Sequence, residues 1–378
     1  MIQPSTDKYV LQLCHSYKMP FLDVARQYAS LFEDSEYKVI TVYLTGEQDQ
    51  HVIKNSASDE VIFLEYTSKQ ISGLKLKQIK QLTQLHQRYH FDFAIAHRYK
   101  AIYILQFLKG LPVIGINHAY NVFRSPLRRW FLTLNQKNLY LLGVSDGIRD
   151  YVRQALPHFP PQHIQTLYNH VDSDKVRLSH LSASEARQAL GLASDQYIFA
   201  NVGRLHPDKD QKTLIDGFAS IADDMPNANL IILGKGRLES ALKQQIKDLG
   251  LENRVFLLGV VPDAVKYFKA FDCFVLSSDY EPFGMVLLEA ILADLPIIAT
   301  DAGGAKEIIA DKDYLFNVGD SHHLAELMLK TYHLDAQVLE TSRKNNAEHL
   351  DNNFTDLAVR KAFWKLDFIQ EIIQNNKH

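Results

Sequence analysis

CFVLSSDYEPFGMVLLEAILADLPIIAT, Cys273–Thr300, is the stretch whose reading decides the fold. CFVLSS is a short apolar run that reads as a strand, Met285–Ala293 is helix-like, and PIIAT is a second strand-like run. A strand, a helix and a further strand form the repeating unit of α/β architecture. Both apolar runs are continuous rather than alternating, as expected for strands buried on both faces of a parallel sheet.

The same pattern extends in both directions. YVLQLC, KVITVYL, VIFLEY, FAIAH, PVIGINH, LYLLGVS and IQTLYN precede Asp172, and YIFANVG, NLIILGK, VFLLGV, CFVLSS, PIIATD and YLFNVG follow it. Helix-like segments lie between many of them: Leu22–Phe32, Leu74–Tyr89, Gln211–Ile221 and Arg237–Leu249. At 378 residues the chain exceeds the usual ceiling for one hydrophobic core, and thirteen strands suit two doubly wound sheets better than one. The expected domains are 1–172 and 173–355, with the polar YNHVDSDK near Asn169–Lys175 as the junction. A final helix over roughly Asp356–Asn375 has no strand after it. Two Rossmann-like domains facing each other make a cleft.

Composition narrows the function classes. A chain that is 46% hydrophobic and 22% charged is an ordinary globular protein. No apolar run approaches ~20 residues, so no membrane span is expected. MIQPSTDKYVLQLC lacks a basic region followed by a long apolar one, so no signal peptide is expected. Cys14 and Cys273 each sit in an apolar strand-like run and read as buried free thiols in a reducing, cytoplasmic compartment. The net charge of −3 is unevenly spread, +5 over residues 1–172 and −8 over the remainder. Within Thr67–Ser145 the only acid is Asp92 against twelve basic residues, which points to an anionic partner for the first half.

In open α/β sheets ligands bind beyond the carboxyl ends of the strands, so candidate residues are sought there. In NVGRLHPDKD a strand runs into Gly203, and Arg204 and Lys209 follow on a loop that precedes a helix. The planar fork of Arg and the mobile charge of Lys suit a diphosphate; the alternative is a surface loop with solvated cations. In LIILGKGRLESAL, Gly234-Lys235-Gly236 starts like a dinucleotide fingerprint, but Glu239 stands where the third glycine belongs. Such a turn either brings backbone to a ligand or is merely tight. Glu281 falls on the loop after CFVLSS, where Pro282 and Gly284 fix the turn and the amides of Gly284, Met285 and Val286 suit an anion or a sugar oxygen. Glu289, one turn beyond Met285, leans toward the helix start and could accept hydrogen bonds from vicinal hydroxyls; otherwise it is an ordinary helix glutamate. Gly303-Gly304 permits close backbone approach ahead of Glu307. His97 and His118 stand at strand ends, where a single histidine is more often structural.

Taken together, GRL-x3-K, LGKG, FLLGVVPD, EPFG-x4-E and DAGGAKE, in this order over roughly Tyr197–Asp320, resemble the retaining, nucleotide-sugar-dependent glycosyltransferases of GT-B fold, family 4 (glycosyl transferases group 1). DFAIAH, the INH that contains His118, and LGVSDGIRDYV resemble that family's acceptor-side domain more loosely. The resemblance implies that Arg204 and Lys209 bind the donor diphosphate, that Glu289 binds the ribose hydroxyls and that Glu281 touches the transferred sugar. Gly284, Met285 and Val286 offer amides, Gly203 and Gly234 join the donor site, and Gly259 and Val260 lie in the segment around Leu258–Val261 that lines the base pocket. His118 is implied to lie beside the reacting sugar, and Asp356–Asn375 to cross back to the first domain. Two departures stand out. HSYKMPF, His15–Phe21, occupies the place of a Gly-Gly loop, and Asn169-His170-Val171-Asp172 that of Asn-Gly-Val-Asp.

The implied reaction is transfer of a sugar, with configuration retained, from a nucleotide diphosphate donor to a glycan or glycolipid hydroxyl, in synthesis of bacterial cell-surface polysaccharide or lipopolysaccharide. Neither a metal nor a cofactor beyond the donor is expected. The competing readings are a non-catalytic nucleotide-sugar-binding protein, a glycoside hydrolase using Glu281 and Glu289, and a nucleotide-sugar epimerase of the same fold. In Lys69–Arg88, Ile71, Leu74, Ile79, Leu82 and Leu85 share roughly one face. That segment reads either as a sheet-packing helix with a solvated outside or, with the basic YNVFRSPLRRWFLTLNQK, as peripheral attachment to an anionic membrane at its inner face or as the contact for an acceptor that bears phosphates. No stacking platforms are apparent, so a nucleic acid partner is not expected.

Overall fold

The computed structural model describes residues 7–375, which divide into two compact units. Unit 1 holds residues 7–169 and 356–375, and unit 2 holds His170–Thr355. Each is built on one parallel sheet.

In unit 1 the strands are β1 (Lys8–Cys14), β2 (Tyr37–Tyr43), β3 (Glu60–Phe63), β4 (Phe93–His97), β5 (Val113–Asn117), β6 (Leu139–Gly143) and β7 (Ile164–Thr166). Their order is β3-β2-β1-β4-β5-β6-β7, so the winding reverses between β1 and β4. In unit 2 the strands are β8 (Tyr197–Val202), β9 (Ala228–Leu233), β10 (Val255–Gly259), β11 (Cys273–Leu276), β12 (Ile297–Thr300) and β13 (Leu315–Phe316). Their order is β10-β9-β8-β11-β12-β13, with the reversal between β8 and β11. All thirteen apolar runs form strands. Their continuous apolar character has the expected cause: β9 and β11 are buried along their whole length. Phe199, Phe218, Leu230, Val275, Phe316 and Met328 pack into one core in unit 2. Cys14 and Cys273 are buried free thiols.

Helix boundaries follow backbone conformation. Gln211–Ile221 is a helix over its full expected length, and Met285–Leu292 ends one residue early. The helix expected from Leu74 starts at Leu76, because Lys75 adopts a left-handed backbone (φ 55°). Leu74 is therefore outside the helix and 68% exposed, not on the packed face, whereas Leu82 is buried. The single C-terminal helix expected over Asp356–Asn375 is two helices, Asp356–Trp364 and Asp367–Asn375. The break lets the segment cover two separate places on unit 1. Phe363 meets Phe32 edge-on (5.5 Å), Trp364 stacks on Tyr37 and donates from Nε1 to the Leu31 carbonyl (3.0 Å), while Phe368 stacks on Tyr140 (4.7 Å). No helix of the described residues is long and apolar enough to cross a membrane.

Candidate active site

The reversal between β8 and β11 puts the loops that leave these two strands side by side. They are stitched by backbone and side chain: Ser277 Oγ donates to the Lys209 carbonyl (2.9 Å), and the Asp279 N–H donates to the Asp208 carbonyl (3.2 Å). This brings Lys209 Nζ to 2.6 Å from Glu281 Oε2, with the two side chains only 18% and 8% exposed. Ser278 Oγ donates to the same carboxylate oxygen (3.3 Å), and the Glu281 carbonyl accepts from the Gly304 N–H (2.8 Å). Sequence reasoning placed both residues in the site but missed that they form a pair, and it missed Ser278. Arg204 is held differently. Its side chain is 73% exposed and its nearest acid is Asp208, at 3.5 Å, so the guanidinium fork faces solvent.

The glycine turns answer the question left open for LGKG. Gly234 has φ 142°, and a Cβ there would lie 1.9 Å from the Gly203 carbonyl oxygen. The Gly234 N–H donates to the Gly259 carbonyl (2.7 Å), and the Leu205 N–H to that of Lys235 (3.1 Å). The close approach is therefore of backbone to backbone, and it locks Gly203, Gly234 and Gly259 into one platform at the carboxyl ends of β8, β9 and β10. Val260, 63% exposed, is at the edge of that platform. On the other side of the reversal, Gly284 (φ 110°) starts the helix Met285–Leu292, whose N-terminus no side chain caps and whose first turn carries no acid. The amides of this first turn carry the positive end of the helix dipole. Glu289 lies on the same helix, half-buried.

His118 belongs to unit 1, just beyond β5, and the hydrogen bonds behind it determine its tautomer. Gln12 Nε2 donates to the Ala25 carbonyl (3.0 Å) and to Thr41 Oγ1 (2.9 Å), so Gln12 Oε1 faces His97 Nε2 (3.3 Å) and must accept from it. His97 Nδ1 is then an acceptor, and His118 Nε2, 3.4 Å away, is its donor. Nδ1 of His118 is left as the acceptor nitrogen. Burial, and secondarily the Arg98 charge, push the His118 pKa down to about 4, and burial with the neighbouring His118 pushes His97 well below its usual value. Both rings are neutral at pH 7. Gln12 was not singled out from the sequence, although a polar residue inside the apolar run YVLQLC is a visible signal.

Residues 182–349 match the family described as glycosyl transferases group 1. The matched residues all lie in unit 2. A Campylobacter jejuni N-acetylgalactosaminyltransferase, acting on N-acetylgalactosamine-N,N'-diacetylbacillosaminyl-diphospho-undecaprenol, is 29% identical over 252 residues, or 65% of each chain. The putative glycosyltransferase EpsD of Bacillus subtilis is 27% identical over 234 residues, 59% of this chain and 61% of that one. An uncharacterised glycosyltransferase of Methanocaldococcus jannaschii is 38% identical over 135 residues, 35% of this chain and 32% of that one. The chain thus matches between about a third and two thirds of these relatives' length. A glycosyltransferase from Rickettsia africae matches in structure with a TM-score of 0.84 at 15% identity, over 98% of this chain and 100% of that one. Anabaena HepE in complex with UDP and glucose matches with a TM-score of 0.75 at 23% identity, over 94% and 97%. Units 1 and 2 are the two parallel-sheet α/β domains of the GT-B fold, and the C-terminal helices belong to unit 1.

Proposed function

We propose that this protein is a retaining glycosyltransferase that moves a sugar from a nucleotide diphosphate sugar to a hydroxyl of a glycan or glycolipid, without a metal. The observation that carries this reading is the shielded Lys209–Glu281 pair at the β8/β11 reversal, beside an uncapped helix N-terminus. As the bond between sugar and diphosphate breaks, negative charge grows on the leaving phosphate. The Arg204 fork, Lys209 and the first-turn amides of Met285–Leu292 stabilise that charge. Glu281 Oε2 is taken by Lys209 and Ser278, which leaves Oε1 to a hydroxyl of the transferred sugar. Glu289 accepts from the ribose hydroxyls, and the Gly259–Val260 turn lies under the base. In unit 1, Nδ1 of His118 accepts a hydrogen bond from a substrate hydroxyl. The departing phosphate oxygen takes the acceptor's proton as the new glycosidic bond forms on the same face, so no enzymic nucleophile is required.

A glycoside hydrolase needs two carboxylates that flank one anomeric carbon. The occupied Oε2 of Glu281 counts against that role. The acceptor is assigned to the glycolipid or polysaccharide class of the bacterial cell surface because the Campylobacter relative acts on a diphospho-undecaprenol-linked sugar. An acceptor of that class supports the reading of a protein that works at the inner face of the membrane. The test is a calorimetric screen of nucleoside diphosphate sugars followed by transfer assays with the donor that binds. Arg204→Ala is expected to lower turnover on the order of 100-fold, the usual worth of one such donor. Near-normal transfer by that variant overturns the assignment, and donor binding without transfer or hydrolysis over an acceptor panel overturns the enzyme.

A further inference from the structure

Unit 1 has its own strand-order reversal, and its charge is unbalanced there. The parallel register sets Leu13 beside Ala96 and His97 beside Ile116, so His15, Arg98 and His118 leave β1, β4 and β5 at one edge of the sheet. Arg98 opens the helix Arg98–Leu105 with a left-handed backbone (φ 74°), and its guanidinium lies 3.9 Å from the centre of the Phe21 ring. Lys100 is exposed on the first turn of that helix. Lys75 reaches the same helix from the start of Leu76–Tyr89, its Nζ 4.8 Å above the Tyr103 ring. Aromatic faces hold Arg98 and Lys75 in place without neutralising them.

Among the described residues, no carboxylate pairs with any of the three. The only acid of Thr67–Ser145, Asp92, precedes β4 and so lies at the opposite edge of the sheet, its N–H donating to the Tyr9 carbonyl. The crowding of charge is felt locally. Lys75 is pushed below its ordinary pKa by burial and then by Lys100, and His15 by burial and then by Lys100 and Arg98. His15 Nδ1 is shielded from solvent with no hydrogen-bond partner.

We propose that Lys75, Arg98 and Lys100 form an anion site at the β1/β4 reversal that takes a phosphate group of the acceptor substrate. The word "acceptor" rests on the reading of unit 1 given above; the anion site itself does not. Three unpaired cations on two packed elements match a group of about two negative charges, and the reversal is where an open sheet leaves room for a ligand.

The full-length protein is titrated with inorganic pyrophosphate while the His15 ring is followed by NMR, its signal identified by its loss in His15→Gln. Binding cancels the neighbouring positive charge, so the His15 midpoint is expected to rise on the order of one pH unit. The response is expected to persist in Arg204→Ala, which excludes the unit 2 site as its origin, and to vanish in Lys75→Glu/Lys100→Glu, with Lys75→Gln/Lys100→Gln as the milder pair. An unresponsive wild type, or a response unchanged in both pairs, overturns the proposal. Vesicles of phosphatidylcholine with and without phosphatidylglycerol identify the source. Co-sedimentation only with the anionic vesicles, lost in the paired variants, assigns a lipid headgroup; a pyrophosphate response with no vesicle binding assigns a phosphate on a soluble acceptor. Failure of every nucleotide sugar to bind refutes the proposed activity and leaves this readout untouched.

Discussion

Breaking the Lys209–Glu281 pair one partner at a time, and then together, separates its structural from its chemical role. At 2.6 Å and an effective dielectric of about 20, the direct attraction is about 6 kcal/mol. Removing both charges from water costs several kcal/mol per ion, so the net worth of the intact pair is small. A lone partner is another matter. Lys209→Met leaves Glu281, 8% exposed, with Ser278 as its one side-chain donor among the described residues, and is expected to cost about 3 kcal/mol, the low end for a buried pair. Glu281→Leu leaves the more accessible Lys209, whose flexible stem can carry its charge to water, and is expected to cost about 2 kcal/mol. Lys209→Met/Glu281→Leu removes both charges and is expected to lie within about 1 kcal/mol of the native protein, a coupling of roughly 4 kcal/mol. Scanning calorimetry of the full chain reads this. For a unit of this size the transition that carries unit 2 should fall by roughly 6–12 °C in Lys209→Met and largely recover in the double variant. Transfer activity should be lost in all three. Additive single losses in the double variant refute the coupling, and transfer by the stable double variant refutes the pair's place in the site.

Three further outcomes follow from the geometry. Gly234→Ala forces a Cβ to 1.9 Å from the Gly203 carbonyl at φ 142° and should destabilise unit 2 on the order of 3 kcal/mol, read as a lowered melting transition. Stability should fall with acid. His118 and His97 are held below their unfolded pKa of about 6.5, so the unfolded chain binds more protons as pH drops from 6.5 toward 4, the folded pKa of His118, and stability should decline by at most about 2.7 kcal/mol per pH unit in that window; a flat urea midpoint between pH 6.5 and 4 contradicts this. Phe363→Ala removes a fully buried ring from the C-terminal segment's contact with Phe32 and should cost about 3–5 kcal/mol, with tryptic cleavage after Lys361 and Lys365 as the sign of a released helix.

The strands were legible because burial on both faces leaves a local mark, a continuous apolar run, that needs no partner to be read. Positions at strand ends were legible for the same reason, which is why Arg204, Lys209, Glu281 and Gly284 all emerge at one reversal point. What escaped depends on register. Lys209 and Glu281 are 72 residues apart, and only the side-by-side placement of β8 and β11 makes them a pair. The break in the C-terminal helix is equally non-local: nothing between Trp364 and Asp367 is a breaker by propensity, and the turn exists because Trp364 and Phe368 answer to Tyr37 and Tyr140, far apart in sequence. The charge reading was sharpened in the same way. A count of twelve bases against one acid suggested an anionic partner, but it does not distinguish cations spread over a solvated helix from cations gathered at a strand-order reversal. The fold makes that distinction. Arg98 and Lys100 are brought beside His15 by the β1–β4 register, and Asp92 is held at the other end of β4 by the strand between them. A strand end concentrates charge that composition only counts, and both reversal points of this protein use that property, one with a paired cation and one with unpaired ones.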